Sequence, residues 1–211
     1  MKKHFMLLGD YAKPRYHPLR GVDDAITGML NDMFETYDIS ITEDYPTLTL
    51  DDLRKYNLII NYIDTWDRAN ADFAGALLGY IAAGGRLLTL HSGIIAHSLP
   101  EIEQLVGACF TEHPPREPLE YTLAEAHPIT RGLEPFTIDE EPYKFVMDNL
   151  ARVSVFMEYT YKGEKFPAAW TRTYGSGKSC YLSMGHEAAS FANEGFVKLI
   201  KRSLLWCMEE L

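Results

Sequence analysis

The stretch from Gly84 to Gly93 constrains the fold of this chain more than any other part of the sequence. The two adjacent glycines that open it can end a helix, because glycine adopts the left-handed conformation without a Cβ clash. The apolar run at residues 87–90 is typical of a buried strand. It stops at His91 and Ser92, which carry an imidazole and a hydroxyl. Because ligands bind at the carboxyl ends of strands in an open α/β sheet, we expect a functional site here.

Predicted strands and helices alternate through most of the chain. The helix that begins at Val22 is the clearest, because its apolar residues recur at helical spacing and form one face. Strands are predicted at residues 4–8, 37–41, 58–63, 87–90, 152–161 and 178–184, and helices at residues 22–34, 50–56, 70–83, 98–106 and 197–208. This alternation predicts the α/β class, with a doubly wound, mostly parallel sheet.

Residues 110–165 show a different pattern. Helical periodicity disappears there, and prolines separate short pieces that resemble β-strands. We expect a β-rich, antiparallel excursion from the main sheet in the C-terminal half, and not a second domain. Residues 1–211 are therefore predicted to form a single domain, which suits a chain of 211 residues.

The composition excludes some classes of partner. Hydrophobic residues make up 46% of the chain and charged residues 24%, which is typical of a globular protein with a sizeable core. The formal net charge of −10 disfavours nucleic acid and anionic membrane surfaces, and the sequence has no basic cluster to offset it. We therefore expect neither nucleic acid nor membrane as a partner.

The cysteines and the N-terminus indicate a cytoplasmic protein. Cys109, Cys180 and Cys207 are odd in number and far apart, so they predict neither a disulfide framework nor a zinc-knuckle motif. The apolar part of the N-terminal segment is too short for a signal peptide and runs directly into Asp10. The longest apolar stretch, at residues 73–83, is too short to span a bilayer.

Histidines occur in three of the four loops that should meet at one edge of the sheet. His17 follows the first strand, His91 the central strand and His186 the last strand, while the fourth loop contains Trp66. Imidazole can bind a metal or transfer protons near neutral pH, and zinc suits imidazole ligands. If the ring nitrogens of the three histidines lay more than ~8 Å apart, one zinc ion could not join them.

Other candidate groups have simpler explanations. His97 and His127 are expected to be structural, and His4 and His113 to be exposed. The acidic run at residues 139–141 could supply carboxylates, but a solvated charged segment is the commoner explanation. The Gly-Lys-Ser sequence at residues 177–179 lacks the first glycine and the helix of a phosphate-binding loop, so no nucleotide cofactor is predicted.

Several short motifs, taken in order, resemble those of the ThuA-like, or trehalose-utilisation, family, and the resemblance spans nearly the whole chain. The motifs are Tyr16-His17-Pro18, Leu90-His91-Ser92-Gly93, His127-Pro128-Ile129 with Gly132, Glu140-Glu141 with Tyr143, and Gly175-x-Gly177-Lys178 with Tyr181 and Gly185-His186-Glu187. The resemblance implies a class I glutamine amidotransferase-like fold, a variant of the flavodoxin-like arrangement. It also implies a role in carbohydrate metabolism, near disaccharide or keto-sugar turnover.

In true amidotransferases of this fold, a cysteine stands at the strand-to-helix elbow, where this chain has His91. Glutamine hydrolysis by a thiol is therefore not expected. The later motif, which in those enzymes is His-Pro-Glu, is represented here by His186 and Glu187 without the proline. The replacement of a thiol by an imidazole favours metal binding or proton transfer.

Our first hypothesis is an enzyme, a hydrolase or isomerase, that acts on a sugar through a histidine-rich pocket. His17, His91 and His186 would be ligands of a divalent metal, zinc first, or His91 and His186 would be acid–base groups. Glu187 would act with them by orienting His186. Contacts with a small-molecule substrate, a sugar, are predicted for His17, Tyr16, Ser92, Trp66 and Tyr143.

A second hypothesis is a non-catalytic module that binds a small metabolite through a degenerate amidotransferase-like site. A third is a subunit of a larger assembly, and a homo-oligomer is also open. The sequence does not distinguish these alternatives.

Overall fold

The computed structural model describes residues 2–211 as an α/β structure built around one large sheet. The strands are Lys3–Gly9 (β1), Tyr37–Thr42 (β2), Leu58–Tyr62 (β3), Arg86–Leu90 (β4), Ala108–Glu112 (β5), Glu117–Leu123 (β6), Phe136–Glu140 (β7), Lys144–Met147 (β8), Val153–Tyr161 (β9), Glu164–Tyr174 (β10) and Gly177–Leu182 (β11). The helices are Val22–Met33 (α1), Leu50–Leu53 (α2), Ala71–Ala82 (α3), Pro100–Val106 (α4) and Glu194–Cys207 (α5).

The large sheet has a parallel half and an antiparallel half. Its strand order is β2-β1-β3-β4-β11-β10-β9-β6-β7. The strands from β2 to β11 are parallel, and those from β11 to β7 pair antiparallel. The mixed α/β class with an antiparallel, β-rich extension is thus confirmed, while the doubly wound, flavodoxin-like assignment stays a prediction. The strands β5 and β8 form a separate antiparallel pair.

Alternate residues of the parallel strands pack against opposite faces of the sheet. In β1, Phe5 and Leu7 belong to the core that includes apolar residues of α1 and α5. Met6 and Leu8 belong to a second core, which includes apolar residues of α3 and α4. Because both faces are covered, these strands have near-continuous apolar sequences, which explains why they could be recognised from the sequence.

The helix that precedes the central strand begins and ends as its sequence predicts. The side chain of Asn70 accepts a hydrogen bond from the backbone N–H of Phe73 and caps the N-terminus of α3. Its C-terminus is followed by Gly84, whose φ of +107° would strain any residue with a Cβ. The glycine therefore allows the chain to turn directly into β4.

The parallel half of the sheet determines where the candidate functional site lies. The strands β1, β3, β4 and β11 all end at the same edge, because they run in the same direction. The segments that follow them carry His17, Asp64, His91 and His186, respectively. The end of β7 adds Glu141 from the antiparallel half. Five titratable side chains therefore come from segments that are far apart in the sequence.

Two further features agree with the sequence. The cysteines at positions 109, 180 and 207 are all unpaired. Within residues 2–211, none of the helices combines the length and the apolar character that crossing a membrane requires.

Candidate functional site

Three histidines and one glutamate converge at the carboxyl edge of the parallel strands. His17, His91, His186 and Glu141 each offer one ligand atom, and these four atoms all lie within 4.8 Å of one another. We call this group the histidine–glutamate cluster. The three histidines selected from the sequence therefore meet, at distances that one metal ion could span.

The distances within the cluster are short and similar. The Nε2 atom of His91 lies 3.2 Å from Nε2 of His17 and 3.3 Å from Oε2 of Glu141. Oε2 of Glu141 also lies 3.6 Å from Nε2 of His17 and 3.2 Å from Nδ1 of His186. One carboxylate oxygen is thus close to a nitrogen of each imidazole.

His91 sits at a strained turn directly after β4. Its φ of +41° is in the left-handed region, which a residue with a Cβ rarely adopts. The hydroxyl of Tyr181 donates a hydrogen bond to the His91 carbonyl, 3.1 Å away. The imidazole is fully buried, and this burial lowers the pKa of His91 to about 4, although the nearby Glu141 carboxylate opposes the shift. His91 is therefore held as a neutral imidazole that points into the cluster.

His17 is oriented by a carboxylate from the loop after β3. Oδ1 of Asp64 lies 2.7 Å from Nδ1 of His17, and its other oxygen accepts a hydrogen bond from the backbone N–H of Tyr16 at 2.7 Å. Burial opposes protonation of His17, but the carboxylates of Asp64 and Glu141 outweigh it and raise the pKa of His17. The Asp64 backbone N–H is in turn held by the buried carboxylate of Asp10, at 3.0 Å.

The Nδ1 contacts determine which nitrogen of each imidazole faces the cluster. Nδ1 of His91 lies 2.7 Å from the carbonyl oxygen of Ser183, which can only accept a hydrogen bond. A neutral His91 therefore carries its hydrogen on Nδ1, and the same holds for His17 opposite Asp64. The two Nε2 atoms then direct lone pairs at each other across 3.2 Å. These lone pairs repel each other unless a proton or a cation lies between them.

The acidic run at residues 139–141 is not the solvated segment that its sequence suggests. The Glu140 side chain is fully buried, and one of its oxygens accepts hydrogen bonds from the Gly185 N–H at 2.8 Å and the Ser190 hydroxyl at 2.5 Å. Its other oxygen lies 3.1 Å from the backbone nitrogen of His186. Burial raises the pKa of Glu140 even so. Glu140 thereby fixes the backbone that carries His186.

Glu141 is the carboxylate of the cluster, and it is not among the site residues predicted from the sequence. Burial opposes ionisation of Glu141, but His17, His186 and His91 together hold its pKa well below the usual range. In the sequence, only the two-residue alternation of a strand distinguishes the acidic residues 139–141 from one another. This alternation does not show what each side chain contacts. The surrounding histidines become neighbours of Glu141 only when the sheet forms.

Glu187 does not take the position that the sequence analysis gave it. Its carboxylate pairs with Arg116, with 2.5 Å between Oε1 and Nη1. The carboxylate that contacts the imidazole of His186 belongs to Glu141. The structure therefore gives the contact expected of Glu187 to Glu141, because the Glu187 carboxylate is engaged by Arg116.

A cavity of about 510 Å³ opens beside the cluster. Four of the five predicted substrate contacts line it, namely Tyr16, His17, Trp66 and Tyr143. Ser92 is fully buried and does not belong to the lining.

Two histidines that the sequence analysis assigned elsewhere also line this cavity. His97 was expected to be structural and His113 to be simply exposed, but both face the cavity. Nδ1 of His113 lies 3.6 Å from Oε1 of Glu141. No local pattern distinguishes these histidines, since β5 and the loops around it have no amphipathic period.

Several buried polar atoms of the site lack a partner among residues 2–211. They are the Tyr143 hydroxyl, the Trp66 indole nitrogen and the Ser92 hydroxyl. Burial of a polar group without a hydrogen bond costs free energy, so such groups usually have a partner. Tyr143 and Trp66 belong to the cavity lining, although these two polar atoms are themselves buried.

Comparisons with known proteins agree with this architecture. The model of a family described as "ThuA: Trehalose utilisation" matches residues 18–207. No curated protein has a matching sequence.

Solved structures show the same fold. A ThuA-like protein of Parabacteroides merdae aligns with a TM-score of 0.81 at 15% identity, over 99% of this chain and 90% of that chain. A ThuA-like protein of Bacteroides uniformis aligns with a TM-score of 0.78 at 18% identity, over 97% of this chain and 91% of that chain. The β-galactosidase of Rahnella sp. R3 aligns with a TM-score of 0.68 at 15% identity, over 100% of this chain but only 32% of the enzyme.

Proposed function

The chain belongs to the trehalose-utilisation (ThuA) family, and on that basis we propose that it is an enzyme that acts on a disaccharide or keto-sugar derivative through a metal-binding pocket. The metal would be a divalent ion, zinc in the first place. Its ligands would be His17, His91 and His186 together with Glu141.

The metal assignment rests on the two Nε2 atoms of His17 and His91, which face each other across 3.2 Å. Zinc bonds of about 2.0–2.1 Å in a tetrahedral arrangement place neighbouring ligand atoms about 3.3 Å apart. Four of the six corresponding separations in the cluster are 3.2 to 3.6 Å, and all six are below 4.8 Å. A cation among these atoms would bind both Nε2 lone pairs in place of a proton.

A metal ion bound at this site would supply the chemistry of the proposed reaction. A zinc ion with an open position can polarise a carbonyl or lower the pKa of a bound water. Asp64 and the Ser183 carbonyl hold His17 and His91 so that their Nε2 lone pairs point to one place. Glu140 holds the backbone of His186. The chain thus fixes the three imidazoles before any ligand arrives, which favours a hydrolase or an isomerase.

The cavity supports a sugar as the substrate. Its volume of about 510 Å³ lies within the range of small-molecule pockets and suits a mono- or disaccharide. Tyr16, which is 73% exposed, offers an aromatic surface for a sugar ring, and Arg15, Asp67 and His113 offer polar groups that can bond to sugar hydroxyls. The family description, trehalose utilisation, is consistent with this substrate class.

Thiol chemistry has no support in the site. None of the residues that line the cavity, within residues 2–211, is a cysteine. Cys180 and Cys207 are fully buried, and burial raises the pKa of both thiols, that of Cys180 to about 12. Hydrolysis of glutamine by a cysteine nucleophile is therefore not part of the proposal.

The experiment combines metal analysis with turnover. Purified protein is stripped with a chelator, reloaded with zinc and dialysed, and its zinc content is measured. We expect the double variant His91→Ala/His186→Ala to retain one equivalent less than the unmodified protein and to lose turnover across a panel of disaccharides and keto-sugars that includes trehalose. The control is His4→Asn, which changes an exposed histidine outside the cluster.

The outcomes separate the alternatives. Equal zinc content and unchanged turnover in the double variant would show that the proposal is wrong. Thermal stabilisation by a sugar without any turnover would favour the non-catalytic binding module instead.

A further inference from the structure

A second group of potential metal ligands lies outside the histidine–glutamate cluster. His97, Glu103 and Cys109 each offer one ligand atom, and the three atoms lie within 4.8 Å of one another. Nδ1 of His97 is 2.8 Å from Oε1 of Glu103. We call this group the rim cluster, because His97 lines the cavity described above.

The three ligands come from different segments that the fold brings together. His97 lies in the loop before α4, Glu103 lies within α4, and Cys109 lies in β5. The Glu103 side chain is mostly buried, whereas the His97 side chain is 53% exposed. An ion could therefore reach this site from solvent on the side of His97. The Glu103 carboxylate and the Cys109 thiol would be its less exposed ligands.

The three ligand atoms of the rim cluster indicate which class of metal ion it would bind. The hydrogen bond between His97 and Glu103 does not explain why a cysteine lies beside these two residues. The Cys109 thiol donates a hydrogen bond of 3.4 Å to the carbonyl of its neighbour Phe110, and it also lies beside the Glu103 carboxylate. A set of one sulfur, one imidazole nitrogen and one carboxylate oxygen suits zinc and similar transition-metal ions better than magnesium or calcium.

We propose that His97, Glu103 and Cys109 bind a thiophilic divalent cation, zinc or a related ion, at the rim of the cavity. Three protein ligands leave a coordination position open, which is the arrangement of non-structural zinc sites. A cation there would add a positive charge to a cavity rim that is otherwise rich in carboxylates. This proposal does not depend on the proposed function of the histidine–glutamate cluster.

Cobalt(II) distinguishes the two clusters. A cobalt–thiolate bond gives an intense near-ultraviolet absorption band, and cobalt held by imidazoles and a carboxylate lacks that band. The metal-free protein is titrated with cobalt while this band is recorded. We expect one equivalent of cobalt to produce it in the unmodified protein. The double variant His91→Ala/His186→Ala should keep the band, because it leaves the rim cluster intact.

Variants of the rim cluster should remove or weaken the same signal. Cys109→Ser, a nearly isosteric change, should abolish the band, and His97→Asn should weaken cobalt binding at this site at least tenfold. The matched control is His113→Asn, which alters another exposed histidine of the same cavity and should leave the band unchanged. His97 is largely exposed, so its variant tests the proposal even if Cys109→Ser impairs folding.

Absence of the band at saturating cobalt, in both the unmodified protein and the double variant, would overturn the proposal. So would a band that persists in Cys109→Ser. Either result would leave the histidine–glutamate cluster unaffected, since its cobalt complex contains no thiolate.

Discussion

Oδ1 of Asp64 lies 2.7 Å from Nδ1 of His17. This contact holds the hydrogen of a neutral His17 on Nδ1, and so leaves Nε2 free to face His91 across 3.2 Å. Carboxylates that orient an imidazole in this way commonly raise its basicity towards a metal. Asp64 is thus a positioning residue, which acts on the cluster without belonging to it.

Asp64→Asn should weaken zinc binding by about 10- to 100-fold, because the amide no longer fixes the ring of His17 by a charge-assisted hydrogen bond. Competition with a chromophoric chelator measures the affinity. The matched control is Asp67→Asn in the same loop, since Asp67 pairs with Arg15 at the surface and does not contact His17. Equal zinc affinities in the two variants would contradict the role of Asp64.

Glu140 and Asp139 are adjacent acids with opposite environments, and they offer a paired test. Glu140→Gln would replace one of the two carboxylate oxygens by an NH2 group, which cannot accept the backbone hydrogen bond now donated to that oxygen by Gly185 or His186. We expect a loss of about 1.5–3 kcal/mol in the free energy of unfolding and a fall in Tm of several degrees. Asp139→Asn removes only a surface pair with Arg116, which should cost about 0–1 kcal/mol. Thermal denaturation of both variants distinguishes the two effects.

Two glycines should respond to alanine in opposite directions. A Cβ at Gly93, in the turn after His91, would lie 2.7 Å from the backbone oxygen of Asn61 and 2.8 Å from a methyl of Thr89. We expect Gly93→Ala to destabilise the fold by roughly 1–3 kcal/mol. Gly75 lies in α3 with no atom within 4 Å of such a Cβ, so Gly75→Ala should stabilise the helix by about 0.5–1 kcal/mol. Urea denaturation measures both changes, and a neutral Gly93→Ala would contradict the close packing of this turn.

The sequence was sufficient to predict the parallel half of the sheet and the histidines at its edge. Parallel strands that are covered on both faces consist of apolar runs, which can be recognised in the sequence. Because these strands run in the same direction, the residues that follow them lie at the same edge of the sheet. His17, His91 and His186 were found in this way, and the resemblance to a known family supported the choice.

The rest of the site depends on contacts that no local pattern records. Glu141 reaches the cluster only because β7 pairs with β6 at the far end of the sheet. His97 and His113 face the cavity because of the separate pair of β5 and β8 and the loops around it. Glu187 was misassigned because its position beside His186 in the sequence suggested a contact, whereas its side chain pairs with Arg116.

Tyr143 offers a test of ligand binding that is separate from stability. Tyr143 belongs to the cavity lining, and its hydroxyl is buried without a partner among residues 2–211. Tyr143→Phe therefore removes an unsatisfied polar group, so the free energy of unfolding without ligand should stay constant or rise by up to about 1 kcal/mol. The affinity for the sugar that stabilises the unmodified protein should fall about tenfold, the equivalent of one hydrogen bond of about 1.4 kcal/mol.

Tyr159→Phe is the matched control, because the Tyr159 hydroxyl donates a hydrogen bond of 2.6 Å to the backbone carbonyl of Tyr143. This variant should lose about 1 kcal/mol of stability while its affinity for the sugar changes little. Thermal denaturation with and without the sugar measures both quantities for both variants. If Tyr143→Phe were destabilised as much as Tyr159→Phe and still bound the sugar normally, the Tyr143 hydroxyl would serve the fold and not the ligand.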